Sequence, residues 1–397
     1  MEECPPIIGA VLSLLLLAIS VRPLSWADLP DGLRIKVPMA EFARRTELAR
    51  TDMARREREG EWDALIYYAL QSRSFTHLPP IEPAVSARRF VDSLEPERRA
   101  CYLSGECNAA GAVPMDAAAR LAALRRSAKP GRARYFRTML NTGDPGAEYR
   151  RAMRFLYRKE FADDRASYRT RGLSTDTGLA PSYTVWNALN VLHAIDPRFR
   201  VQRALIIGPG LDVASRTALA EHAEPQSYQP YLTALALRQL GMAETPEVHC
   251  LDVNPRVIAF IDNFFRKPTL EFPRAGEAKA DPAYRAWRKT LGDRLAVPPE
   301  IAEHVHAARA NLLTERSDAR YDLVIVTNVL LYFSDPELEL AMGSIAFMLR
   351  TDGYLIHNEL RPALEQISSE AGLTAVTGRT LRIAPGLLDA FAIYRAR

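Results

Sequence analysis

From Val201 to the C-terminus, short apolar runs alternate with stretches of helical period. Ala204–Ile207, Val248–Leu251, Val305–Ala310, Tyr321–Thr327 and Tyr354–Asn358 read as strands. The first is four apolar residues in a row, which predicts a strand buried on both faces. Tyr231–Leu240, Pro255–Phe265 and Glu337–Leu349 between them carry apolar residues at helical spacing. Strand–helix alternation predicts a doubly wound, mostly parallel, Rossmann-like sheet. Thr374–Ile383 and Leu388–Arg395 are two extended stretches joined at Pro385-Gly386, which predicts an antiparallel C-terminal hairpin.

Upstream the pattern is mainly helical. Glu41–Glu59 is dense in Arg, Glu and Ala, a solvated helix with close charge pairs. Trp62–Leu70 is an apolar helix, and Val85–Leu94, Ala117–Arg126 and Ala147–Phe161 continue the pattern. Residues 28–170 are therefore expected to form a helical domain. Residues 171–200 follow as a linker or lid rich in small and hydroxyl residues, then a helix over Thr184–Ala194 that leads into the sheet domain, residues 201–397.

Ile7–Val21 is nearly all apolar. It is short for a spanning helix, which needs roughly 20 residues. Ser25-Trp26-Ala27 offers a small-x-small cleavage pattern, so residues 1–27 read as a signal peptide or a membrane anchor. Acidic Glu2 and Glu3 before the run, and Arg22, Arg34 and Lys36 after it, favour an uncleaved anchor with the body in the cytoplasm. Export after cleavage near Ala27 is the alternative.

Composition changes this picture little. A net charge of +4 over 397 residues argues against an obligate nucleic-acid partner. Between Leu121 and Arg171, however, fourteen Lys and Arg stand against five Asp and Glu, either a solvated face or a surface for an acidic partner, or for anionic lipid if the chain sits on a membrane. Four cysteines are too few for a disulfide scaffold; Cys101 and Cys107 would pair only in an oxidising compartment. His304 and His306 share a strand face with no third ligand nearby, so no metal site is expected.

The candidate chemistry begins at Ile207-Gly208-Pro209-Gly210-Leu211-Asp212, a strand running into a glycine turn, with Asp212 as N-cap of a following helix. Gly208 and Gly210 let a ligand lie against bare backbone. The residue at the third fingerprint position of a dinucleotide fold is Val213, and there is no phosphate-binding GxxxxGK[ST]. Asp252 ends the second strand, where a carboxylate can accept from both hydroxyls of a ribose.

Two further stretches, Asn311-Leu312-Leu313 and Asn328-Val329-Leu330-Leu331-Tyr332-Phe333, complete a set. The sheet pattern, glycine turn and hairpin resemble the class I S-adenosylmethionine-dependent methyltransferase fold over about half the chain. The last two motifs resemble those of chemoreceptor glutamate methyltransferases. The resemblance implies S-adenosylmethionine as cofactor, with Gly208 and Gly210 at its amino-acid part, Asp252 on the ribose, Asn311 by the adenine and Asn328 near the reacting methyl. Asn328, Tyr332, His357 and Glu359 are candidates to line the reaction site, with no base assigned among them. Ile206 stands where the family carries an acidic residue, Asp212 where glycine is common, and 44 residues separate Asp252 from the glycine turn. The last includes a polar, aromatic insert, Pro225–Tyr231, which lines a substrate mouth or forms a longer surface loop.

The expected function is methyl transfer to an unknown acceptor, small molecule or protein. A non-catalytic protein on a degenerate methyltransferase fold, binding cofactor or partner, is the alternative. An aminopropyl transferase on the same fold would need a paired acidic motif that is not evident.

Overall fold

In the computed structural model, residues 19–58, 76–79, 83–104, 177–212, 226–272 and 280–397 are described, with isolated positions between 107 and 157. The expected elements at Trp62–Leu70 and after Asp212, and most of Ile7–Val21, lie outside them, and Ala117–Arg126 and Ala147–Phe161 are described only at isolated positions.

The chain opens with a short strand, β1 (Val21–Pro23), a single turn at Trp26–Asp28, and helices α1 (Asp31–Lys36) and α2 (Met39–Arg58). Helices α3 (Pro83–Asp92) and α4 (Pro96–Ser104) follow. Cys101 and Cys107 are disulfide-bonded, with Cα atoms 5.4 Å apart. Helix α5 (Ala180–Ile195) then leads into β2 (Arg203–Ile207), α6 (Gln229–Gln239), β3 (Glu247–Asp252) and α7 (Pro255–Phe264). An excursion adds the pair β4 (Thr269–Glu271) and β5 (Arg294–Ala296), with α8 (Pro282–Thr290) between them and α9 (Pro299–Ala302) after. The remainder is β6 (Val305–Arg309), β7 (Glu315–Ser317), β8 (Tyr321–Val326), α10 (Asp335–Met348), β9 (Leu349–His357), α11 (Pro362–Glu370), β10 (Leu373–Ala384) and β11 (Leu387–Ala396).

Seven strands form the main sheet in the order β10-β11-β9-β8-β2-β3-β6. β6, β3, β2, β8 and β9 run parallel, and β11 and β10 close the edge antiparallel. The mostly parallel sheet with an antiparallel hairpin is the architecture the apolar pattern predicts. Strand order reverses between β2 and β8, because β2 leads to β3 on one side and lies beside β8 on the other. A crevice opens at such a switch point, beyond the carboxyl ends of the strands.

Alternation along each strand divides the core in two. Ala204, Ile206, Val248, Cys250, Leu323, Ile325 and Ile356 face α5, α6 and α7. Leu205, Ile207, Leu251, Val324, Val326 and Leu355 face α10, α11 and the N-terminal segment. Helix starts are written locally: Ser334 and Glu337 form a capping box on α10, and the Asn254 side chain accepts from Arg256 N at the start of α7.

The N-terminal segment is built onto this second face. β1 pairs antiparallel with β7, and Leu24 N donates to Thr314 O at 2.8 Å. Leu29 and Leu33 pack so closely on α10 that a Cβ at Gly343 would lie 2.4 Å from Leu29 Cδ2. Asp28 pairs with Arg316 at 3.1 Å, and Arg45 with the buried Glu339 at 2.5 Å. Among the described residues no helix is long and apolar enough to cross a membrane, and Val21, assigned by sequence to the apolar run, is in a strand.

Candidate functional site

The glycine turn leaves β2 with Gly208 N donating to Leu251 O at 2.8 Å, so it sits over the gap between β2 and β3. Gly208 and Gly210 have φ of +66° and +61°, a region that side chains disfavour. A Cβ on Gly208 would also lie 2.4 Å from Val329 Cγ2. The turn therefore needs glycine at 208 for space as well as for backbone conformation.

Asp252 is buried at the end of β3. Its carboxylate accepts from Asn254 N at 2.8 Å and more weakly from Gly210 N at 3.4 Å, which joins the turn to the strand end. Beside it, Asn254 is fully buried and its Nδ2 has no hydrogen-bond partner, although its Oδ1 caps α7. A buried acceptor, an orphaned donor and a cradle that a Cβ would fill fit the ribose and amino-acid parts of S-adenosylmethionine.

Asn311 follows β6. Its Oδ1 accepts from Leu313 N at 3.1 Å and its main-chain N–H donates to Glu315 at 2.8 Å. This leaves the amide NH₂ to meet a ligand. Asn311 borders a cavity of about 340 Å³ together with Val253 and Ala310, at the position expected for the adenine.

Asp212 is the last described residue before the stretch in which the helix it would cap was expected, and that stretch lies outside the described residues. Asp212 itself forms an antiparallel bridge with Gln226, with N–H to O distances of 2.7 and 3.2 Å in the two directions. Burial pushes its carboxyl up to about 7. The bridge explains the polar insert. Gln226, Ser227 and Tyr228 are buried, Gln226 exchanges side-chain bonds with the backbone of Glu271, and Tyr228 stacks on Phe272 with ring centroids 5.3 Å apart. Of the two readings of this insert, a surface loop is the one these contacts overturn. Thr177 N donates to Leu211 O at 2.9 Å, so the end of the preceding hydroxyl-rich segment lies against the same turn. Ile206, in place of the family's acidic residue, is fully buried core with Cys250 and Ile325 as its strand neighbours.

On the other side of the switch point the strand ends are polar. Asn328 follows β8 with φ +57°, a left-handed conformation in which Asn is among the tolerated residues. Its N–H donates to Asn358 Oδ1 at 2.8 Å, and Asn358 Nδ2 donates back to Asn328 Oδ1 at 2.8 Å. Asn358 Nδ2 also reaches Asp389 Oδ1 at 3.2 Å, and Thr184 Oγ1 donates to Asp389 Oδ2 at 2.5 Å. Gln229, at the start of α6, donates to Thr327 Oγ1 at 2.8 Å. The network ties β8, β9, β11 and α5 together at the carboxyl end of the sheet.

The other sequence candidates are distributed unevenly. Tyr332 is half-buried in a single turn, Leu330–Tyr332, beyond Asn328. Glu359 is occupied at the start of α11, where its Oε1 accepts from Arg361 N at 2.9 Å. His357 is not brought to the network. It stacks on Tyr394 at 5.2 Å, on the α11 side, because it is one residue out of register with Asn358. Burial holds its pKa down to about 4, against a weaker opposing contact with the Glu359 backbone. Sequence reading missed Asn358, Asp389 and Thr184. The residue after His357 was the available signal for the first; the other two lie on elements far apart in sequence.

Residues 229–371 match the family profile described as CheR methyltransferase, SAM binding domain. An uncharacterized 104.1 kDa protein from Rhodobacter capsulatus is 38% identical over 66 residues, which is 17% of this chain and only 7% of that protein. Among solved structures, the N-methyltransferase NodS from Bradyrhizobium japonicum, with S-adenosyl-l-homocysteine, overlaps 53% of this chain and 85% of its own at 15% identity and a TM-score of 0.30. Magnesium protoporphyrin IX methyltransferase from Synechocystis, with the same ligand, overlaps 55% and 84% at 8% identity and a TM-score of 0.32. The assignment rests on the family match and on the strand order. Over residues 229–371 the chain matches the S-adenosylmethionine-binding domain of CheR methyltransferases, on a sheet with the strand order of a class I S-adenosylmethionine-dependent methyltransferase.

Proposed function

We propose that the acceptor enters over Asn328, Asn358 and Asp389, at the carboxyl ends of β8 and β9, and that the domain faces the cytoplasm on a retained N-terminal attachment. When bound, S-adenosylmethionine supplies a methyl group already activated by its sulfonium. The chain's part is to align the acceptor and to exclude water. The observation that carries the reading is the reciprocal amide pair of Asn328 and Asn358. A non-glycine residue held at positive φ costs on the order of 1–3 kcal/mol, and persists where surrounding bonds enforce it. Here Asp389 fixes which way the Asn358 amide points, and Thr184 fixes Asp389. The result is a rigid polar floor beside the glycine turn.

The acceptor itself, small molecule or protein, is reached by experiment. Full-length protein is incubated with methyl-labelled S-adenosylmethionine and fractions of a host lysate. Label that accumulates in one fraction and does so severalfold more slowly with Asn358→Ala supports the reading, and label released by mild alkali marks a carboxyl ester. Tight S-adenosylhomocysteine binding with no transfer in any fraction would favour the non-catalytic alternative. Absence of binding at millimolar ligand removes the cofactor reading altogether.

Two arguments support the cytoplasmic side. The cofactor is made and kept there, and a cut after Ala27 would separate β1, Leu24 and Trp26 from the face they pack on. One observation favours export: the Cys101–Cys107 disulfide, since such bonds persist in oxidising compartments. Mass spectrometry of the N-terminus and alkylation of Cys101 in unreduced cells separate the two. A mature chain beginning at Asp28 with both thiols blocked would sink the cytoplasmic proposal.

A further inference from the structure

We propose that the N-terminal segment is part of the cofactor site: β1 and α2 form the outer wall of the nucleobase pocket, and cofactor binding holds them in place. The inference rests on the crevice being the S-adenosylmethionine site. The cavity of about 340 Å³ next to Asn311 has two sides of different origin. One side, Val253 and Ala310, comes from the ends of β3 and β6. The other, Pro23 with Arg50 and Met53, comes from β1 and α2. Its volume falls within the range of small-ligand sites, about 300–1,000 Å³.

The position along the crevice argues for a purine. Val253 directly follows Asp252, and Ala310 N donates to Asp252 O at 3.0 Å, so the cavity begins where the ribose carboxylate ends. A flat heterocycle needs two apolar faces and a polar edge. Val253 and Ala310 provide one face, and the half-buried Met53 thioether provides the other. Asn311 provides the edge, because its oxygen is committed to Leu313 N and its NH₂ is left to donate to a ring nitrogen. Arg50 makes a long 3.5 Å pair with Glu47 and also lines the cavity, where its guanidinium can lie over the rim.

The wall is held at both ends. β1 is hydrogen-bonded to β7, the strand just beyond Asn311, and Arg45 anchors α2 to the buried Glu339 of α10. A ligand touching both sides of the cavity therefore stabilises the docked N-terminal segment by mass action.

The test uses the full chain and calorimetric titration with S-adenosylhomocysteine and with methylthioadenosine, which keeps the adenine and ribose but lacks the amino acid. Met53→Trp fills the cavity and is expected to weaken both ligands about tenfold or more, whereas Met53→Leu stays within about twofold. A folded Met53→Trp with wild-type affinity overturns the inference. Should Met53→Trp fail to fold, hydrogen exchange on the wild type decides. S-adenosylhomocysteine is expected to slow exchange in peptides covering α2 as well as in the glycine turn. Slowing at the turn with none in α2 overturns the inference but leaves the cofactor site standing. No ligand binding by the wild type removes that site and this inference with it.

Discussion

The two sides of the switch point solve different problems. On the β2–β3–β6 side, backbone and apolar surface dominate: two glycines at positive φ, one carboxylate at Asp252, and a cavity walled by Val253, Ala310 and Met53. On the β8–β9–β11 side, side-chain amides and a carboxylate interlock across four elements. The first arrangement suits a ligand of fixed shape whose large parts must be accommodated by removing side chains. The second suits a group that must be placed to within a few tenths of an ångström, because each amide is oriented by its neighbour. The difference predicts that damage on the first side is read in cofactor affinity and damage on the second in turnover.

The largest effect is expected at the glycine turn. Gly208→Val places a branched side chain against Val329 and forces a β-branched residue to positive φ. S-adenosylhomocysteine affinity should fall by at least about 100-fold, on the order of 3 kcal/mol, in calorimetric titration. Unchanged affinity would place the ligand elsewhere. Asp252→Ala comes next, with a loss of about 1.5–3 kcal/mol in cofactor binding, the worth of a charge-assisted hydrogen bond. Loss of the fold instead, seen by circular dichroism, would mean that Asp252 serves mainly to join the turn to β3.

His357 sharpens the comparison from outside the site. Its pKa in the fold, about 4, lies below the ordinary 6.5, so the unfolded chain takes up the proton first. The stability this neutral ring contributes is therefore present above pH 6.5 and lost as pH falls toward 4. Between pH 7 and 5 the loss is about 2 kcal/mol, and His357→Phe should remove it from urea unfolding curves. If His357→Phe instead abolished methyl transfer at neutral pH with stability intact, the ring would have to reach the crevice after all. The smallest effect is expected at Asn358→Ala, about 1 kcal/mol or roughly a fivefold to tenfold fall in kcat. Its S-adenosylhomocysteine affinity should stay within about twofold. A fall in affinity with kcat unchanged would reverse the assignment of the two sides.

Much of this was legible in the amino-acid sequence, for a local reason. Ala204–Ile207 and Leu323–Val326 are apolar on both faces, as a central parallel strand demands. Gly208, Gly210 and Asp252 sit directly at the ends of such strands, so their place in the crevice follows from the strand assignment. The antiparallel finish was marked by the turn at Pro385-Gly386.

What only the tertiary structure decided is where separations are long or where one residue of register matters. His357 and Asn358 are neighbours on β9, yet pleating sends one under α11 and the other into the site; the register of β9 against β8 and β11 sets which. Thr184 and Asp389 are 205 residues apart and meet because α5 crosses the end of β11. Val21–Pro23 carries no strand signal of its own, being three residues beside an apolar run. It becomes a strand because β7 presents a free edge and because Leu24, Leu29 and Leu33 find a face to bury against. Propensity is a property of a short window, whereas pairing and burial depend on what the rest of the chain brings to that place.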